Sequence, residues 1–281
     1  MRKLLRLLGL DGVPEAPAAP PSTPPAADGD LQRCVVFIGG VRTGTTVFRH
    51  MLGTHPRITD RFEIFNSNTP HGFYPFYRDY LKQQPDAIFP EQNLATFARY
   101  LTQLNAADDL SLVDIKYEHL AHLPAPWRMP FSPPALLDHV RDLNLKVIHL
   151  RRNPFHSLLS DQVATQTQRY KRYRGEDVAP PPPEVRVRVN RHKLEADMRE
   201  RRQVTRMVDD MIPEARRLSF DYESMLDTQG AFDASMCSAL ADFLGVESQF
   251  DRQPGLEKVI ARPLSEVIEN YAEIADLESA E

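Results

Sequence analysis

The chain has 281 residues, 42% hydrophobic and 26% charged, which is the balance of a soluble globular protein with enough apolar material for a large core. A formal net charge of −5 excludes the basic surface of a domain that binds nucleic acid wholesale, so any anion site must be a local patch. The two cysteines, Cys34 and Cys237, stand far apart and outside any metal or C-x-x-C spacing, which argues against a disulfide framework or zinc site and for small buried hydrophobes in a reducing compartment.

At the start of the chain, leucines alternate with basic residues but are interrupted by Arg6 and end at Gly9. That is too short for a signal-peptide core or a spanning helix, and at most an amphipathic turn that touches a membrane or partner. No later run approaches the roughly 18 apolar residues of a membrane span, so a soluble, cytoplasmic protein is expected. Residues 13–30 are rich in Pro and Ala with almost no large apolar side chains and cannot repay the entropy of ordering. The expected organisation is a flexible segment over 1–30 and one domain over 31–281.

From Leu31 the composition changes to the apolar run Cys34-Val35-Val36-Phe37-Ile38, which reads as a buried strand closed by Gly39-Gly40. A helix over 45–52 follows, with Val47, Met51 and Leu52 at helical spacing and Gly53 to end it. Further strands are expected at 110–115, 146–150 and 217–220, with helices at 97–104, 134–143, 194–211 and 231–244. The proline-rich residues 175–183 read as an exposed loop. Strands alternating with helices imply an α/β fold, a single domain with a central parallel sheet flanked by helices on both faces around a core like that of P-loop NTPases.

The segment Gly39-Gly40-Val41-Arg42-Thr43-Gly44-Thr45-Thr46 joins the first strand to the first helix. Glycines there let backbone N–H groups converge on an anion at the positive end of the helix. The G-x-x-x-x-G frame is that of an ATP-binding P-loop, but Thr45 stands where lysine would reach the β- and γ-phosphates, and the cation has moved to Arg42. The plain alternative is a tight glycine turn capped by threonines. A second anion element follows the 146–150 strand: Arg152-Asn153-Pro154 with Ser160 eight residues after the arginine, about two turns into a helix begun at Pro154. An arginine fork plus a hydroxyl suits a phosphate monoester at the carboxyl end of a parallel strand, although Arg-Asn-Pro alone is a common strand exit.

The pattern V-R-T-G-T-T resembles the 5′-phosphosulfate loop of sulfotransferases that use 3′-phosphoadenosine 5′-phosphosulfate (PAPS), P-[KR]-[ST]-G-T-T, with Val41 in place of the common proline. R-N-P with a serine eight residues on is similar to the same family's 3′-phosphate element. Weaker echoes are Tyr222-Glu223-Ser224-Met225 before a helix ending Phe243-Leu244-Gly245-Val246, and the Pro263 to Tyr271 stretch, so the resemblance spans about residues 33 to 275. It implies that Arg42, Thr43, Gly44, Thr45 and Thr46 hold the 5′-phosphosulfate, with Arg42 near the leaving-group oxygen. It also implies that Arg152 and Ser160 read the 3′-phosphate, and that the product is adenosine 3′,5′-bisphosphate. The match to glycan-type and bacterial members points to a saccharide hydroxyl as acceptor.

Transfer of a sulfuryl group to a hydroxyl needs a group that takes the acceptor proton and cations that neutralise the departing phosphate; no metal is demanded. In carbohydrate and tyrosyl sulfotransferases an H-P-x-[IV] turn leads to a glutamate base. His55-Pro56-Arg57-Ile58 leads here to Glu63, whose apolar neighbours Phe62, Ile64 and Phe65 are expected to raise its pKa. Pairing of Glu63 with Arg57 or Arg61 is the structural alternative, and Asp60 and His119 are substitute bases. Asp114 and Lys116 share one strand face, which presents Lys116 to the site as similar enzymes do. The aromatic stretch 71–80 reads as loop and core packing or as a platform for an acceptor ring. The basic run 169–174 and the arginines between Arg186 and Arg206 read mostly as solvated faces, and Tyr222-Glu223 as structural. Two other readings remain open: a P-loop kinase of a small alcohol or nucleoside, against which the missing lysine and the Arg152/Ser160 element stand, and a non-catalytic nucleotide-binding protein.

Overall fold

The computed structural model describes residues 29–105, 109–123, 132–170, 186–256 and 262–279. The expected N-terminal segment up to residue 28, the proline loop at 175–183 and residues 171–174 of the basic run lie outside them. Five parallel strands, β1 (Cys34–Gly39), β2 (Ile58–Glu63), β3 (Leu110–Lys116), β4 (Lys146–Arg151) and β5 (Arg217–Asp221), form one sheet in the order β2-β3-β1-β4-β5. Between and after them run α1 (Thr45–Leu52), α2 (Phe73–Gln83), α3 (Asn93–Leu104), α4 (Ala135–Asp142), α5 (Pro154–Thr167), α6 (Arg191–Met211), α7 (Ala234–Leu244) and the short α8 (Leu264–Val267).

The central strands are mostly apolar because both faces are covered. Val35, Phe37, Leu112, Ile148 and Leu150 pack on one face against Phe48, Met51 and Leu52 of α1 and Leu240 and Leu244 of α7. Val36, Ile38, Val113, Ile115 and Val147 pack on the other against Phe97 and Leu101 of α3, Leu136 and Val140 of α4 and Val208 of α6. Each fully buried Phe, Leu or Ile contributes about 1.5–3 kcal/mol, and the two layers make the sheet a rigid platform for whatever hangs from its carboxyl edge. Cys34 and Cys237 are both buried and unpaired, and burial pushes the Cys34 thiol up to about 12, so it stays protonated. A third cluster, with Phe155, Leu194, Met198, Ile268 and Ile274, fastens the C-terminal residues onto α5 and α6. None of the helices among the described residues is long and apolar enough to cross a membrane.

Two elements differ from the sequence expectation. β2 was not expected, because it is an edge strand of sequence ITDRFE in which only Ile58 is buried, and an apolar run is what a buried strand shows and an edge strand lacks. The aromatic stretch is helical rather than a loop: α2 starts at Phe73 and tolerates Pro75 because the first turn needs no intrahelical N–H donor there.

Candidate functional site

All five strands point their carboxyl ends the same way, and the expected site residues gather along that edge. β1 ends at Gly39, and the chain turns into α1 through two left-handed residues, Arg42 (φ 60°) and Gly44 (φ 86°). Gly44 is required twice over: its φ disfavours any side chain, and a Cβ there would lie 2.5 Å from the Tyr222 ring. No side chain caps the first turn of α1, whereas Asn153 caps α5 by accepting from the Phe155 N–H. The N–H groups at the start of α1, with Thr45 and Thr46 in that turn, are thus left for an anion. Thr43 closes the loop, its hydroxyl donating to the Gly40 carbonyl at 2.8 Å.

The two anion elements, over a hundred residues apart in sequence, meet at Arg42. Its Nε donates to Ser160 Oγ at 3.3 Å and its Nη1 to the Tyr170 carbonyl at 2.6 Å, while Arg152 Nη1 donates to the Arg42 carbonyl at 2.5 Å. The Arg152 guanidinium stacks 4.2 Å above the Tyr222 ring, and its Nε is buried without a partner. Burial depresses the pKa of both arginines; Asp161 partly offsets this for Arg42, while the Arg152 charge adds to it. Two desolvated like charges with a donor unsatisfied form a site that gains from an anion. Beside it, Arg152, His156, Tyr222, Glu223 and Leu226 line an open cleft of about 330 Å³.

Lys116, at the end of β3, organises the other half. Its Nζ lies 2.5 Å from Thr45 Oγ1, 2.6 Å from Asp114 Oδ2 and 3.5 Å from Glu63 Oε1, and it is almost wholly buried. Thr45 is the position where an ATP-binding P-loop carries lysine, so an ammonium arrives there after all, from another strand. Asp114 anchors it, since the same Oδ2 takes Arg49 Nη1 at 2.8 Å. Two cations thus stand at the loop, Arg42 within it and Lys116 beside Thr45.

Glu63 reaches this cluster through a bulge. Between Asp60 and Glu63 the pairing of β2 with β3 advances three residues against two, Asp60 lying opposite Leu112 and Glu63 opposite Asp114. Phe62 takes the left-handed conformation (φ 62°) and its N–H is held by Asp60 Oδ1 at 2.9 Å. In a regular strand Glu63 would share the face of Arg61, which turns away to the Leu104 carbonyl and Ser111. The extra residue swings it instead onto the face of Asp114 and Lys116, the re-aiming that bulges perform beside active sites. Its partner is therefore Lys116 rather than Arg57 or Arg61.

The expected rise in the Glu63 pKa is not found. Burial pushes it up, but Lys116, the Asn66 amide and Arg49 together outweigh burial and hold the carboxyl below its ordinary value. The apolar neighbours face elsewhere: Phe62 is 57% exposed, and Ile64 and Phe65 are buried in the core under the opposite face. Asp60 is raised by burial despite Arg49. His119 is lowered by burial and by His122, and its Nδ1 accepts from the Lys116 N–H. Sequence reasoning passed over two residues. Tyr222, read as structural, floors the cleft beneath Arg152. Arg201, read as part of a solvated face, is 9% exposed and reaches the loop from α6, a placement that charge periodicity along a helix could not disclose.

An α/β sheet carries a glycine-threonine loop at its carboxyl edge, and a second arginine-serine element faces that loop. The chain belongs to the sulfotransferase family, whose sequence model matches residues 35–249. No curated protein matches the sequence. Among solved structures, the chain is similar to the sulfotransferase domain from the curacin biosynthetic pathway, with 19% identity and TM-score 0.47 over 83% of this chain and 81% of that one. It is also similar to a sulfotransferase from Alicyclobacillus acidocaldarius, with 14% identity and TM-score 0.44 over 86% and 91% of the two chains. A third likeness is to mouse sulfotransferase SULT7A1, solved in complex with PAP, with 14% identity and TM-score 0.41 over 88% and 63%.

Proposed function

We propose that this sulfotransferase takes its sulfuryl group from PAPS and passes it to a hydroxyl of a saccharide acceptor, releasing adenosine 3′,5′-bisphosphate. The observation that carries the reading is the meeting of the two anion elements, with Arg42 bonded to Ser160 and Arg152 bonded to the Arg42 carbonyl. In this reading the loop from Arg42 to Thr46 holds the 5′-phosphosulfate, Arg152 and Ser160 hold the 3′-phosphate, and the orphan Arg152 Nε gains an acceptor. Tyr222, under Arg152 and against Gly44, walls the cleft between them.

As the acceptor oxygen bonds to sulfur, the bond from sulfur to the 5′-phosphate oxygen breaks and negative charge builds on that phosphate. Lys116 and Arg42 neutralise it, and the acceptor proton passes to Glu63. A carboxyl held below its ordinary pKa is ionised at neutral pH, the form a base needs; the 3.5 Å approach of Glu63 to Lys116 supports the assignment over Asp60, which pairs with Arg49 instead. None of these roles requires a metal.

Calorimetric titration with adenosine 3′,5′-bisphosphate and with magnesium-ATP, on wild type and Arg152→Ala, tests the donor assignment. The bisphosphate should bind more tightly than ATP and lose about tenfold or more in the variant, the scale of a charge-assisted hydrogen bond. Tighter ATP binding, or indifference to Arg152, would favour a P-loop kinase instead.

A further inference from the structure

Three consecutive carbonyls of the anion loop are each held by a different side chain. Gly40 O accepts from the Thr43 hydroxyl at 2.8 Å, Arg42 O from Arg152 at 2.5 Å, and Val41 O, between them, from Arg201 Nη1 at 3.4 Å. Arg201 belongs to α6, 160 residues further on. Its other nitrogen, Nη2, is paired with Glu118 Oε1 at 2.9 Å, and its guanidinium lies 5.5 Å from the centre of the Tyr117 ring just after β3. A Cβ on Gly40 would lie 1.5 Å from Arg201 Nη1, so the missing side chain at Gly40 is the space the guanidinium occupies. Gly40 needs no left-handed conformation, since its φ is not among the positive ones; its glycine is explained by Arg201.

We propose that Arg201 is the positioning residue of the donor loop: it occupies the volume left by Gly40, fixes the Val41 peptide with its carbonyl outward, and so aims the loop's N–H groups at the phosphosulfate. The inference rests on the PAPS reading for the identity of the ligand. A fixed peptide orientation is what an anion nest requires, because a carbonyl that turned inward would oppose the anion. Arg201 adds a desolvated positive charge behind the loop, tied to the carboxyl end of β3 through Glu118, and the planar fork of arginine can serve both partners where the point charge of lysine could not.

The test is a double-mutant cycle on the full chain, read by calorimetric titration of adenosine 3′,5′-bisphosphate and by the melting temperature of the unliganded protein. Arg201→Ala should weaken binding about tenfold, as loss of one charged hydrogen bond does. Gly40→Ala, whose methyl meets the movable end of Arg201 and, at 3.1 Å, the Tyr117 ring, should weaken it by a similar factor with a smaller fall in melting temperature than Arg201→Ala. Because both act through one contact, the double variant should bind within about twofold of the weaker single variant. Either single variant binding like wild type, or losses that multiply to about a hundredfold, would overturn the proposal. Should Arg201→Ala fail to fold, Gly40→Ala decides alone, and bisphosphate affinity equal to wild type refutes the idea. A wild-type chain that does not bind the bisphosphate would fail differently, refuting the donor reading on which the inference stands.

Discussion

Asp114 is fully buried, and a single oxygen of it neutralises two buried cations, Lys116 Nζ at 2.6 Å and Arg49 Nη1 at 2.8 Å. Asp114→Asn keeps the shape and removes the charge. What remains for Arg49 is Asp60 at 3.4 Å and for Lys116 is Glu63 at 3.5 Å, both longer contacts to partly exposed carboxylates. Removing one member of a buried ion network leaves uncompensated charge and costs roughly 3–5 kcal/mol. Set against a total stability of about 5–15 kcal/mol, that is a large fraction, and at about 2–4 °C per kcal/mol for a domain of this size the melting temperature should fall by about 10 °C. Urea unfolding followed by circular dichroism is the assay, with the midpoint shifting and the slope unchanged. A loss below about 1 kcal/mol would show that the network is not held by Asp114, and the account of how Lys116 is fixed beneath Thr45 would be wrong.

Four further outcomes follow from the site. Glu63 is held below its ordinary value of 4.5, so the stability it contributes is complete above that pH and is lost as pH falls through the lower folded-state value; Glu63→Gln should flatten the acid limb of a stability–pH curve. The same shift puts the acid limb of kcat/KM below 4.5 if Glu63 is the base, whereas a limb above 4.5 that disappears in His119→Gln would assign the base to His119. Gly44→Ala imposes a side chain at φ 86° against the Tyr222 ring, and should abolish measurable bisphosphate binding while costing about 1–2 kcal/mol or more of stability by chemical denaturation. Phe62→Gly relieves a left-handed aromatic while keeping the bulge, and should leave stability within about 1 kcal/mol of wild type; a larger fall would mean that the exposed ring over Arg49 carries more of the fold than its burial implies.

The strands that were readable in the sequence are those whose apolar residues fall in a bounded run or a regular alternation. β1, β3, β4 and β5 are continuous apolar or short bounded runs, and each was expected to within about a residue at its ends. β2 escaped because Asp60, Arg61 and Glu63 leave it no apolar run, and its bulge breaks the alternation that Leu218 and Phe220 keep in the other edge strand, β5. Within the site, local elements were readable: the glycine-threonine loop lies in one stretch, and the arginine and serine after β4 are two helical turns apart. Contacts supplied across the sheet were not. Lys116 reaching Thr45, Glu63 brought round by a backbone twist at Phe62, and Arg201 filling the gap at Gly40 each join residues separated by a whole βα unit or more. A glycine in a loop signals that something needs its space, but only the packed structure says what.

The central claim is met most directly by incubating the chain with PAPS carrying labelled sulfate and a crude polysaccharide fraction, with Glu63→Gln beside it. Label should pass from PAPS into saccharide sulfate esters with release of adenosine 3′,5′-bisphosphate, and the variant should turn over at least about a hundredfold more slowly, the scale of a lost general base. Label that stays on PAPS with every saccharide fraction, or undiminished transfer by Glu63→Gln, would contradict the account.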